Sequence, residues 1–393
     1  MRSGYELDHL LGMEQFITGT PGIGGKLRIL VEDFIVEERF EPCRDGEGEY
    51  VHFILEKYNW DTIRAITQLS RVLRVSIKRF GYAGTKDKRA LTRQRISAWK
   101  ISEEELAEVS IPGLKLYGFT RCRERVNLGD LLGNDFTIAV RRLNGEALEE
   151  TLAETTAQLR QRGVPNYFGY QRFGTVRPNT HLVGKAIVQG RLEEAVMLYL
   201  ARPYPRERSD AYEARKFLDE TRDYRRALEL FPSRLHYERN MLDSLSKNPR
   251  DFAGALRRLP KKLRRMLVHA YQSYLFNKIL SRLIEEEMEI KGREIPLFGY
   301  SSGFSPGRQG EIEREVLEEE GVALESFKIR PLPELAMPGS RRSAAVSTEV
   351  SYSLAKDELH EGRQKLVMRF FLPPGSYATS LLREYMKTNP LDY

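Results

Sequence analysis

The sequence predicts an α+β fold in which a sheet-bearing domain is assembled from both ends of the chain and a helix-rich domain is inserted between them. Three observations predict it. Strand-type patterning is concentrated before about residue 140, and helical periodicity dominates from about residue 181 to 284. Strand character then returns near the C-terminus, in a piece too small for a comfortable core of its own. The chain has 393 residues, more than one typical domain holds. The boundaries that follow are 1–175 together with 347–393 for the discontinuous domain, and 176–346 for the insertion.

In chain order, residues 27–38 read Leu-Arg-Ile-Leu-Val-Glu-Asp-Phe-Ile-Val-Glu-Glu, which predicts two short strands around Glu32-Asp33. Residues 50–56 alternate through Val51, Phe53 and Leu55, the pattern of a strand with one buried face. Asp61 is placed to cap a helix whose apolar positions Ile63, Ile66, Leu69 and Leu73 recur at helical spacing. Segments 95–99, 114–125 and 136–140 read as further strands, and 146–161 as a helix. Helices are expected near 181–200, 209–229 and 262–285. The stretch 289–342 is rich in Gly, Pro and Glu and reads as loops with a few strands. A strand at 365–372 and a helix near 378–386 close the chain. No internal repeat is visible.

Hydrophobic residues make up 41% of the chain, enough for real cores, and the net charge is +7. A basic surplus favours an acidic partner, of which nucleic acid is the commonest. Cys43 and Cys122 form no Cys-x-x-Cys pair, so neither a disulfide framework nor a zinc knuckle is expected. The six histidines are scattered without ligand spacing. No apolar run approaches the roughly 20 residues of a membrane span. Residues 1–13 are charged and lack the apolar stretch of a signal peptide. A soluble, cytoplasmic, metal-free protein is expected.

The segment Gly81-Tyr82-Ala83-Gly84-Thr85-Lys86-Asp87-Lys88-Arg89-Ala90 sets one carboxylate among cations on a glycine-punctuated turn. Cations favour the ionised form of a carboxylate. An ionised aspartate in such surroundings suits nucleophilic or base chemistry on an anionic polymer. By itself the segment also fits a solvated turn with an ion pair. Pro21-Gly22-Ile23-Gly24-Gly25-Lys26 invites a phosphate-loop reading and fails it. Thr20 stands where the first glycine is needed, and Leu27 where Ser or Thr is needed.

Arg121, Arg123 and Arg125 alternate on an expected strand and would face one way, as a solvated edge or as phosphate contacts. The cluster Arg257-Arg258-Leu259-Pro260-Lys261-Lys262-Leu263-Arg264-Arg265 sits between two helices and fits contact with a nucleic-acid backbone. Asn166-Tyr167-Phe168-Gly169-Tyr170-Gln171-Arg172-Phe173-Gly174 packs four aromatics into a bend. Tyr167 and Phe173 read as core. Bends lie at surfaces, so an exposed aromatic beside Asn and Arg can stack on a base. Pro373-Pro374-Gly375-Ser376-Tyr377-Ala378-Thr379 ends a strand and opens a helix, placing Ser376 or Tyr377 at its N-terminus.

These segments occur in one order with Glu32-Asp33-Phe34, Gly46-Glu47-Gly48-Glu49 and Leu128-Gly129-Asp130-Leu131-Leu132-Gly133-Asn134-Asp135-Phe136. The set resembles the TruD family of tRNA pseudouridine synthases over nearly the whole chain, and looks more like an archaeal member than a compact bacterial one. The resemblance implies a pseudouridine-synthase catalytic domain with a mixed, largely antiparallel sheet and an inserted, helix-rich TRUD domain. It implies isomerisation of uridine to pseudouridine, usually at position 13 of tRNA, with no cofactor and no metal.

The family's catalytic aspartate falls on Asp87. Its uridine-contacting aromatic falls on Phe34, its substrate-binding asparagine on Asn166, and the aromatic packing near the base on Phe168. The basic partner of the aspartate falls on Arg28, with Lys86 a weaker candidate for holding the same charge. The C-terminal contact falls on Tyr377, where relatives often carry Phe, so a purely stacking role there is in question. RNA contacts are expected from Lys88, Arg89, Gln171, Arg172, Arg121, Arg123 and Arg125, and a monomer is favoured.

The implied reaction breaks the N1–C1′ bond, turns the base and rejoins it through C5. A stacked nucleotide cannot present C1′ to a side chain, so the uridine is expected to be flipped out. Asp87 suits either attack at C1′ or removal of a proton from C2′. The competing readings are an RNA-binding protein without catalysis and, more weakly, a phosphoryl-transfer enzyme, which the missing phosphate loop disfavours.

Overall fold

The computed structural model describes every residue except 44, 45, 144, 146 and 393. The chain divides into two compact units, one of Thr18–Val164 with Val346–Tyr393, the other of Met1–Ile17 with Pro165–Ala345.

The first unit is built on a nine-stranded sheet. Its strands, numbered along the chain, are β1 (Lys26–Leu27), β2 (Phe34–Arg39), β3 (Tyr50–Tyr58), β4 (Phe80–Tyr82), β5 (Leu91–Trp99), β6 (Leu114–Cys122), β7 (Gly133–Leu143), β8 (Val350–Lys356) and β9 (Gln364–Leu372). The spatial order is β8-β9-β7-β2-β5-β3-β6, with β1 added to β7 and β4 to β5. β2 and β5 run parallel. The other pairings are antiparallel. The sheet is therefore mixed and largely antiparallel; β9, near the C-terminus, pairs with β7, and β8 pairs with β9.

Side-chain alternation decides which face is buried. Val51, Phe53 and Leu55 of β3 join Ile96 and Ala98 of β5 in a core covered by the helix Thr62–Val72. Asp61 caps that helix, accepting a hydrogen bond from the Arg64 amide at 3.0 Å. The covering face is Ala65, Ile66 and Leu69, whereas Ile63, expected to face inward, is exposed. At the far end of the sheet unit the helix Ala378–Met386 follows β9, with Tyr377 at its N-cap.

The second unit is helical. Its centre is the 25-residue helix Lys261–Glu285, buried on most of its circumference. Around it lie Thr180–Val188, Leu192–Leu200, Ser209–Thr221, Tyr224–Leu230, His236–Lys247, Phe252–Arg257 and Gly307–Glu319, with a two-stranded ribbon of Glu294–Leu297 and Ser340–Ser343. Among the described residues no helix is long and apolar enough to cross a membrane.

Several expectations are corrected. Residues 1–17 and 165–175 group with the helical unit, because polar side chains of the long helix bind their backbone. Asn277 Nδ2 donates to the Leu11 carbonyl at 3.0 Å, and Ser281 Oγ to the Gly12 carbonyl at 2.7 Å. The helix expected at 146–161 is Leu148–Arg162, and Glu146 lies outside the described residues. A helix at Gly307–Glu319 and strand β8 occupy stretches that carried no clear periodicity.

Cys43 and Cys122 form a disulfide across 79 residues of sequence. No short motif announces it. The pairing of β6 with β3 places Cys122 opposite Tyr50, just beyond the segment that carries Cys43. The glycines near Lys26 serve packing. The amides of Ile23 and Gly24 donate to the carbonyls of Tyr385 and Met386 at 3.0 Å each.

Gly81 shows how tightly the sheet constrains the turn that follows it. A Cβ there would lie 2.3 Å from the Val126 carbonyl oxygen and 2.6 Å from Ser97 Oγ. Gly81→Ala is therefore expected to destabilise the sheet unit by about 1–3 kcal/mol, read as a lower denaturant midpoint.

Candidate active site

Residues 83–90 leave β4, turn, and return as β5. Buried polar groups hold the turn from beneath. Thr62 Oγ1 accepts from the Lys86 amide at 3.0 Å and donates to Gln94 Oε1 at 2.9 Å, and Gln94 Nε2 donates to the Gly84 carbonyl at 3.0 Å. Lys57 reaches the same turn from β3 and donates to the Asp87 carbonyl at 2.6 Å. With its main chain so occupied, the turn leaves the Asp87 carboxylate at the surface, 36% exposed.

Asp87 Oδ1 accepts a hydrogen bond from Arg28 Nη2 at 2.8 Å. The same guanidinium sits 4.1 Å above the ring of Phe34. Phe34 is buried, edge-on to Phe136, which stacks on Phe370. Asp33 fixes the bend before Phe34. Its Oδ2 accepts from the Leu30 amide at 2.8 Å and its Oδ1 from Arg141 Nε at 2.8 Å. Arg141 also pairs with Asp357 and Glu358. Burial alone would raise the Asp357 carboxyl, but hydrogen bonds from the Arg142 amide, His360 and the Leu359 amide, with Arg141 after them, hold it well below its ordinary range.

Arg28 adopts φ +55°, the left-handed region. That conformation costs a non-glycine residue on the order of 1–3 kcal/mol, while a half-exposed ion pair returns about 0–1 kcal/mol. The guanidinium thus lies between an aromatic face and a carboxylate.

Other cations near the turn are engaged elsewhere. Lys86, expected at the substrate, is buried in an ion pair with Glu38 at 2.7 Å. Arg93 pairs with Glu37 and Glu56. Arg95 donates to the carbonyls of Glu41 and Asp130. Lys88 and Arg89 are exposed. The row of Arg121, Arg123 and Arg125 does not form as expected, because β6 ends at Cys122 and only Arg121 lies on it. Arg123 pairs with Glu47, and Arg125 donates to the Phe80 carbonyl at 2.7 Å.

In the helical unit the Asn166–Gly174 segment is buried, not an exposed bend. Asn166, Tyr167, Phe168, Tyr170 and Phe173 are all covered, while Gln171 is exposed. The long helix supplies the missing hydrogen bonds. Asn277 Oδ1 accepts from the Phe168 amide at 2.9 Å, and Ser273 Oγ accepts from Arg172 Nε at 3.1 Å. Asn166 donates through Nδ2 to the Ser343 carbonyl at 2.9 Å and accepts at Oδ1 from Arg342 Nη2 at 2.6 Å. The Arg342 guanidinium lies 4.1 Å above the Phe168 ring, whose edge meets Phe276.

Arg342 thus contacts two of the expected site residues, a placement the sequence reading missed. Only the Arg341-Arg342 pair in an otherwise loop-like stretch marks it in the sequence. The sheet unit therefore joins Arg28, Phe34 and Asp87, and the helical unit joins Asn166, Phe168 and Arg342. Both clusters set a guanidinium over a phenylalanine and against a side-chain oxygen.

One ligand-type atom from each of Cys43, His52 and Cys122 lies within 4.8 Å of the others. The two sulfurs are joined to each other, so the trio offers a metal one imidazole and no thiolate.

A family model described as tRNA pseudouridine synthase D (TruD) matches residues 10–294 and 293–385. The chain is similar to a Methanosarcina mazei protein carrying the name tRNA pseudouridine synthase D, at 42% identity over 98% of both chains. A Methanopyrus kandleri protein of the same name is 44% identical over 88% of both. A crystal structure of tRNA pseudouridine synthase D (TruD) from Methanosarcina mazei matches with TM-score 0.88 and 42% identity, covering 99% of each chain. Fold and motifs together define an RNA-modifying isomerase of the pseudouridine-synthase class. The chain belongs to the TruD family of tRNA pseudouridine synthases.

His181 packs edge-on to Phe173 and stacks on Tyr274. Burial pushes its imidazole down to about 4 from the ordinary 6.5. Between those values the unfolded chain binds more protons, so stability is expected to fall as pH drops from 6.5 towards 4. Denaturant midpoints measured across that window should decline in the wild type, and His181→Phe should flatten that part of the decline.

Proposed function

We propose that the protein converts uridine to pseudouridine at position 13 of tRNA with Asp87 as the reacting carboxylate. The observation that carries this reading is the Arg28–Asp87 hydrogen bond of 2.8 Å formed over the Phe34 ring. The three residues come from two of the segments that carry the resemblance, and the turn exposes the carboxylate while its main chain is held.

The reaction is redox-neutral. The N1–C1′ bond breaks, a C5–C1′ bond forms, and the proton lost from C5 is balanced by one gained at N1. No external electron carrier is required. The uridine leaves its stack so that C1′ becomes accessible. Asp87 either attacks C1′ or removes the C2′ proton, and Arg28 keeps the carboxylate oriented until then. Its guanidinium is planar and permanently charged, which suits both the carboxylate and the aromatic face.

Phe34 supplies an apolar surface for the detached uracil, and Asn166 and Phe168 act on the substrate as the family motif they match implies. Tyr377, at a helix N-cap, contributes a further contact. Lys88 and Arg89, both exposed, bind phosphates, with Gln171, Arg172, Arg121, Arg123 and Arg125 as additional RNA contacts. In this reading the protein works as a cytoplasmic monomer with neither metal nor organic cofactor.

The test is incubation with unmodified tRNA transcript in the absence of cofactors, followed by mapping of pseudouridine. Wild type should modify position 13. Asp87→Asn should lower the single-turnover rate by more than about 10²-fold while tRNA affinity stays within about twofold. Pseudouridine appearing at the wild-type rate in that variant, or salt-sensitive binding with no base change in wild type, would refute the proposal. Arg28→Met should slow turnover by at least about tenfold, the loss of one charge-assisted hydrogen bond, with the larger effect on kcat.

A further inference from the structure

Lys57 lies on β3, opposite Thr92 of β5 and Leu114 of β6. Its side chain is fully buried. Among the described residues no carboxylate lies within ion-pair distance of its ammonium. Its partners are three main-chain carbonyls instead: Asp87 at 2.6 Å, Trp60 at 2.7 Å and Lys86 at 3.4 Å. An ammonium has three N–H donors, and each has one acceptor here.

Burying an ammonium without a counter-ion costs several kcal/mol, far more than an apolar side chain in the same place. Two of the three acceptors belong to the turn that carries Asp87, and one is the carbonyl of Asp87 itself. We propose that Lys57 is a positioning residue for Asp87, an ammonium clamp under the turn that fixes where the carboxylate stands relative to Arg28. This rests on the reading of Asp87 as the reacting group.

The clamp carries its own pH dependence. The charged groups that bear on Lys57 are Asp87 and Asp61, which favour its protonation, and Lys86, which opposes it. Burial outweighs them and brings the ammonium down to about 8 from 10.5. A neutral amine keeps two N–H donors for three carbonyls and loses the charge that strengthens them. Above about 8 the turn should loosen. Stability moves the other way. The folded value lies below the unfolded one, so between 8 and 10.5 the unfolded chain binds more protons and stability contributed by this group rises with pH.

The experiment is amide hydrogen exchange of segment 84–90 in the full chain, from about pH 7 to about pH 9.5, corrected for intrinsic exchange, with Lys57→Met alongside. In wild type, protection of this segment should fall by about tenfold as pH passes 8, the loss of a charge-assisted hydrogen bond. In Lys57→Met it should be low throughout, with no step. Single-turnover pseudouridine formation should fall at least about tenfold in the variant, with tRNA affinity unchanged.

Wild-type protection of 84–90 in Lys57→Met, or the absence of a step in wild type, overturns the proposal. If Lys57→Met does not fold, the wild-type pH series decides alone. If wild type modifies no uridine, the reading of Asp87 fails, and with it the catalytic half of the proposal. The exchange data still decide whether Lys57 holds the turn.

Discussion

The buried ion pair between Lys86 and Glu38 is the contact on which the sheet unit's site depends. Lys86 is next to Asp87 in sequence, and Glu38 lies on β2, the strand that begins with Phe34. The pair therefore connects the turn bearing the carboxylate to the strand bearing the aromatic. Breaking a buried pair leaves an uncompensated charge and typically costs about 3–5 kcal/mol, whereas the half-exposed Arg28–Asp87 pair contributes about 0–1 kcal/mol. The buried pair joins turn and strand, and the Arg28–Asp87 pair stays at the surface. Glu38 is tied further into the sheet, since its Oε1 accepts from the Arg95 amide at 3.1 Å.

The helical unit reaches a similar arrangement by other means. Its aromatic segment is held by uncharged polar side chains of one long helix, Asn277 and Ser273, and by Arg342 from a short ribbon. Arg342 covers one ring face and binds the Asn166 amide oxygen, so Asn166 and Phe168 are fixed by a single side chain. An arginine does this better than a lysine, because its planar guanidinium stacks and donates in the same plane.

Much of this was readable beforehand, and the failures have physical causes. Strands β3, β5 and β9 declare themselves through periodicity, and the helix Thr62–Val72 through its Asp61 cap. Ile63 misled because helical spacing does not reveal how wide the buried face is, and Ala65 took its place. The surface bend expected at Asn166–Gly174 is buried because a helix about 100 residues away supplies the hydrogen bonds that solvent would otherwise provide. The cations near Asp87 were read as one electrostatic cluster. Lys86, Arg93 and Arg95 instead answer to partners 35–56 residues away, which no local window contains.

By itself the sequence determined the fold class and the order of the motifs, since these rest on residue type and local pattern; the role expected of Asp87 came through the resemblance to the family. Arg28 and Phe34 were assigned through the family motif. Only the tertiary structure decided that Lys86 is buried against Glu38, that Lys57 lies beneath the turn, that Cys43 meets Cys122, and that Arg342 belongs with Asn166. Each of those is a pairing of side chains far apart along the chain. Partner choice among like charges is settled by which strands hydrogen-bond to each other, and strand order is a property of the whole sheet.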